Sequence, residues 1–123
     1  MCPHSILIIN EEEAVRESLH LVLEEEGFEC RVAEGDIEAK EILLSKSIGV
    51  VVIDSHLLGS KGFLHFLKEN DPQVRIIIMS TYAEVDVTQQ ALLSGAHDFV
   101  VKPLNFQELI DKIKLQISIL SDQ

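Results

Sequence analysis

The sequence predicts an α/β fold, a doubly wound parallel sheet with helices on both faces. Apolar runs at about 5 to 9, 49 to 53, 74 to 79 and 98 to 101 lack the alternation of half-exposed strands, as strands buried on both faces should. Segments of helical spacing separate these runs. Short connections between the two kinds of segment imply a parallel sheet built with right-handed crossovers.

Along the chain, SILII opens the sheet, and a helix follows with Val15, Leu19, Val22 and Leu23 on one face. Gly27 marks the end of that helix. Glu29 to Ala33 is a weaker strand, and the run Gly49 to Ile53 closes on Asp54. The turn from Gly59 to Gly62 precedes a third helix, whose buried face carries Phe63, Leu64, Phe66 and Leu67. The run IIIM ends at Ser80, the fourth helix stops at Gly95, and FVV ends at Lys102. In the last helix Phe106, Leu109, Ile110, Ile113, Ile117 and Leu120 form the inward stripe. Leu115 and Ile119 point the other way and touch at i, i+4, an expected self-association face.

A chain of 123 residues fits a single domain over 1–123. Because it stops at its last helix, an N-terminal place in a longer protein stays open. Cys2 and Cys30 have no metal-type spacing and are expected as free thiols of a reduced, cytoplasmic protein. Met1 to Ser5 carries no basic stretch and no long apolar run, so neither a signal peptide nor a membrane anchor is expected. A net charge of −11 opposes direct contact with nucleic acid.

Asn10-Glu11-Glu12, Asp54, Ser80 and Lys102 each follow an apolar run. In a parallel sheet the C-terminal strand ends share one edge, so these residues converge. An ionised carboxylate there can attack phosphorus if cations offset its charge. Glu11 and Glu12 can supply further carboxylates for a hard cation such as Mg2+. Lys102 can neutralise a phosphoryl oxygen, and Ser80 can donate a hydroxyl to another.

With SGAHDFVVKPL ahead of the last helix, these residues make the chain resemble the receiver domain of two-component response regulators over essentially its whole length. The resemblance implies a flavodoxin-like (βα)5 fold with strand order 2-1-3-4-5. It implies that Asp54 accepts a phosphoryl group from a histidine kinase or phosphotransfer protein, with Mg2+ held by Glu11, Asp54 and the backbone carbonyl of His56, and Glu12 as a helper. It also implies that Ser80 and Phe99 are the switch pair, that Lys102 contacts the phosphoryl group, and that the bond before Pro103 is cis. The domain is then a regulatory module that assists only its own phosphotransfer and dephosphorylation, with a dimer expected through the fourth and fifth helices. The passage from Met79 to Leu104 is similar to receivers that precede ATPase-type transcription activators.

Asn10 departs from the family's acid, and Glu11 replaces its metal-binding aspartate. Mg2+ binding is therefore expected to be weakened, with a degenerate, phosphorylation-independent interaction module as the alternative. A second reading of Asn10 to Glu13 is a helix N-cap with a capping-box glutamate. The imidazole of His56 is expected to face solvent, and His4, His20, His65 and His97 show no ligand spacing and are expected on the surface. Aspartate-nucleophile phosphatases usually carry a second aspartate where His56 stands. A flavin binder would need a phosphate cradle after the first strand, where Glu11 to Glu13 would repel the phosphate.

Overall fold

The computed structural model describes residues 5–59 and 61–122. Strands β1 (Ser5–Ile9), β2 (Glu29–Ala33), β3 (Ile48–Asp54), β4 (Arg75–Ser80) and β5 (Asp98–Val101) alternate with helices α1 (Glu13–Glu25), α2 (Asp36–Ser45), α3 (Lys61–Asn70), α4 (Val85–Leu93) and α5 (Phe106–Ser121). All strand pairs are parallel, and the order is β2-β1-β3-β4-β5. The predicted fold class and strand order are therefore found.

The absence of alternation in the apolar runs has a direct cause. Ile6 and Ile8 face one layer with Val50, Val52, Ile77 and Met79, covered by Leu19 and Leu23 of α1 and Leu109, Ile110 and Ile113 of α5. Leu7, Ile9, Val51, Ile53, Ile76 and Ile78 face the other layer under α2, α3 and α4. Successive strand residues thus enter opposite cores. Gly27 and Gly95, at φ +92° and +125°, end α1 and α4 in a backbone conformation that L side chains rarely adopt.

Two expectations for α5 change. Phe106, placed on the buried stripe, is 41% exposed, because as the first helical residue it precedes the turns that lie on the sheet. Gln116 is buried instead, its Oε1 accepting a 2.7 Å hydrogen bond from Arg75 Nε. Leu115 is 54% exposed while Ile119 is half-buried, so the outward apolar pair is smaller than its spacing implies.

His97 is likewise not a plain surface residue. Its Nδ1 accepts from the backbone N–H of Ile76 at 3.0 Å, and burial, with Lys68 and Arg75 adding to it, lowers its pKa to about 4. His20 and His65 stand at the surface beside Glu24 and Glu69. Cys30 is a free, buried thiol raised to about 12 by burial and Glu24, which leaves it unreactive; Cys2 and His4 lie outside the described residues. Among the described residues no helix is long and apolar enough to cross a membrane.

Candidate functional site

Strand register alone brings the dispersed polar residues together. Ile9 stands opposite Ile53, so Asn10 leaves the sheet beside Asp54. Asp54 stands opposite Met79, one residue before Ser80, and Ser80 opposite Val101, one before Lys102. The backbone N–H of Lys102 donates to Ser80 O at 2.7 Å and continues the ladder past the end of β5.

Asp54 is only 3% exposed, and each of its carboxylate oxygens is occupied. Oδ2 is paired with Lys102 Nζ and accepts from Asn10 Nδ2 at 3.0 Å. Oδ1 accepts from the backbone N–H of His56 at 3.0 Å. A buried carboxylate left unpaired would cost several kcal/mol, a cost that this ion pair and these donors offset. Lys102 remains a quarter exposed, which leaves an approach from solvent. The Lys102–Pro103 peptide bond is cis.

The hydroxyl of Ser80 is buried at the neighbouring strand end, donating to Thr81 O at 3.0 Å and accepting from Thr88 Oγ1 at 2.7 Å. Phe99 is half-buried against the core beneath α2, α3 and α4. Lys112 Nζ lies 5.3 Å from the centroid of its ring and donates to Phe99 O at 2.5 Å and Asp98 Oδ1 at 3.1 Å.

Sequence reasoning missed Glu84. Its Oε1 accepts from Ser55 Oγ at 2.6 Å, Thr81 Oγ1 at 3.1 Å and Thr81 N at 3.4 Å, so one carboxylate ties the end of β3 to the loop after β4. The Ser55 hydrogen bond is the main cause holding the Glu84 carboxyl below its ordinary value. Thr81 and Glu84 have the spacing of a capping box, the signal by which the pair can be found. The imidazole of His56, expected to be incidental, instead sets Nδ1 2.7 Å from Glu84 Oε2 and 3.3 Å from Asp54 Oδ1. It is half-exposed, and it leans on the site because two acceptors lie on that side.

At the end of β1 the arrangement is poorer. Asn10 is buried, and its Oδ1 accepts from Glu12 N at 2.8 Å while its amide nitrogen meets Asp54. This Asx turn replaces the expected capping role. Glu12 is the residue that enters α1, and its side chain caps nothing. Glu11 is exposed and lines a groove of about 820 Å³ with Arg16, Glu34, Asp36 and Glu38, whereas Glu12 lines another beside Lys102 and Pro103. Among the described residues no three His, Cys, Asp or Glu side chains are grouped to hold a metal ion. The donor set beside Asp54 is thus one carboxylate and an amide committed elsewhere, which does not fit a two-carboxylate Mg2+ site.

The response regulator receiver domain family matches residues 6–114. The chain is 32% identical over 113 residues to an NtrX-like response regulator of Rickettsia bellii, covering 89% of this chain and 24% of that protein. It is 28% identical over 124 residues to sporulation initiation phosphotransferase F of Bacillus subtilis, covering 99% of this chain and 100% of that one. A response regulator receiver domain protein from Clostridium thermocellum superposes with a TM-score of 0.89 at 25% identity, over 97% of this chain and 98% of that one. The chain spans about a quarter of the length of the NtrX-like regulators and the whole of the phosphotransferase. With the family model matching residues 6–114, this chain belongs to the response regulator receiver domain family, regulatory modules of two-component signal transduction.

Proposed function

We propose that Asp54 is the phosphoacceptor, taking a phosphoryl group from a histidine kinase or phosphotransfer protein and changing a partner-binding face through Ser80 and Phe99. The observation that carries this reading is the ion pair of Lys102 with Asp54 at the shared strand edge. Lys102 is paired with the Asp54 carboxylate and stands where it can meet charge on the incoming phosphoryl group. The backbone N–H of His56 supports the other carboxylate oxygen, and Ser80 is the hydroxyl that can turn toward the phosphoryl group.

Mg2+ enters this proposal as a weak ligand only. Asp54, the His56 carbonyl, Glu11 and Glu12 are the donors expected from the sequence, but Glu11 and Glu12 line separate grooves and the side chains beside Asp54 do not assemble the usual set, so no step is assigned to the metal. Incubating the domain with acetyl phosphate and Mg2+ and measuring intact mass tests the function. The expected result is the addition of one phosphoryl group, absent in Asp54→Asn.

The placement of Asn10 and Glu11 favours a second reading, a receiver that binds partners without phosphorylation. Failure of wild type to gain the phosphoryl group at saturating donor would favour it. In either case we propose α4 and α5 as the self-association surface, with the exposed Leu115 of α5 part of it. Leu115→Lys with Ile119→Lys should leave the circular dichroism spectrum unchanged and weaken any dimer in sedimentation.

A further inference from the structure

The Thr88 hydroxyl lies in the first turn of α4, 3% exposed, and gives its proton to Ser80 Oγ at 2.7 Å. A buried hydroxyl without a partner is costly, so this contact is a constraint on both residues. Ser80 has one proton and two lone pairs; Thr81 O takes the proton and Thr88 fills a lone pair. Among the described residues, no hydrogen bond joins the Ser80 side chain to Asp54 or Lys102. To meet a phosphoryl oxygen, Ser80 must withdraw its proton from Thr81 O, and a χ1 turn that carries its Oγ toward Asp54 leaves Thr88 without its acceptor.

We propose that Thr88 is a positioning residue that holds the Ser80 hydroxyl disengaged in the resting domain, so that the Ser80–Thr88 bond sets how readily the switch turns. This rests on the reading of Ser80 as the switch hydroxyl. The bond also couples the site to α4: once Ser80 departs, Thr88 must find another acceptor, and a carbonyl one turn earlier in its own helix is the nearest kind available. Engagement of Ser80 is thereby linked to an adjustment of the first turn of α4.

The test compares wild type, Thr88→Val, which keeps the shape and loses the hydroxyl, and Thr88→Ser, which restores it. Three-bond couplings at Ser80 report its χ1 distribution in the unphosphorylated protein, without metal or phosphodonor. One dominant rotamer is expected in wild type and Thr88→Ser, and averaging over rotamers in Thr88→Val. An averaged Ser80 in wild type, or a single unchanged rotamer in Thr88→Val, overturns the proposal. Should Thr88→Val unfold, Thr88→Ala is measured in its place and judged by the same outcomes.

A second arm measures the phosphorylated fraction at sub-saturating acetyl phosphate. Thr88→Val should raise the phosphorylated-to-free ratio by about 3- to 10-fold, the range of one lost hydrogen bond. Ser80→Ala should cancel that gain in the double variant, and a gain that persists without Ser80 also overturns the proposal. If wild type takes no phosphoryl group, the phosphoacceptor reading fails while the rotamer measurement still decides the role of Thr88.

Discussion

The two corners flanking Asp54 are built on opposite plans. At the end of β4, Ser80, Thr81, Thr88 and Glu84 form a connected chain of hydrogen bonds that reaches back to Ser55 and His56 on the β3 side. At the end of β1, one buried amide bonds Asp54, and the acids that follow it, Glu11 and Glu12, line grooves to either side. Polar side chains are thus linked more densely at the end of β4 than at the end of β1. Resting neutralisation of Asp54 falls to Lys102 and to neutral donors.

The largest test of that asymmetry removes the lysine paired with Asp54. Lys102→Met keeps the stem and leaves Asp54 buried without its partner. Urea unfolding should show a loss of roughly 2–3 kcal/mol, below the full cost of breaking a buried pair because Lys102 is partly exposed, and phosphorylation should fall steeply. Unchanged stability would mean that Asn10 and His56 suffice.

Asn10→Asp tests the opposite corner. A second carboxylate about 4 Å from a divalent ion adds on the order of a few kcal/mol of attraction before desolvation, at surface-like dielectric. Mg2+ affinity measured by titration should rise by about tenfold or more. With EDTA present the same variant should melt lower than wild type, since two carboxylates then face each other. Equal Mg2+ affinity in the two proteins would show that Glu11 already reaches the ion.

The smallest effect is expected at Glu84. Its carboxyl is held below the ordinary 4.5, first by Ser55, so the stability it contributes is present above that value and is lost as pH falls through the lower, folded-state value. Glu84→Gln should flatten the acid limb of a stability profile below about pH 4.5 and leave the neutral plateau little changed. An unaltered acid limb would detach Glu84 from the network.

Much of this was readable in the sequence because the sheet is buried on both faces. Runs such as Leu7 to Ile9 and Val50 to Ile53 have no exposed face to blur them, and each ends in the polar residue that the register delivers to the site. Helix α4 was the harder element. Its apolar residues Val85, Val87 and Leu93 are exposed, while polar Thr88 is buried, so hydrophobic spacing points to the wrong face. Thr88 tolerates that position because Ser80 satisfies it, a pairing between residues of different elements that periodicity cannot reveal. Glu84 escaped for a related reason: its capping-box spacing is local, but its partners Ser55 and His56 lie on another strand end.

On the proposed reading of Asp54 as phosphoacceptor, Asn10 also bears on how the domain meets an anionic donor. The chain carries −11 overall, but an amide in place of an acid leaves Asp54 balanced by Lys102 within the pocket. Repulsion of the donor then comes mainly from outlying carboxylates such as Glu11, Glu34 and Asp36, on open surface where salt screens charge over about 10 Å at 0.1 M. Ionic strength should therefore govern how often an anionic donor arrives, and hardly at all what happens once it is seated.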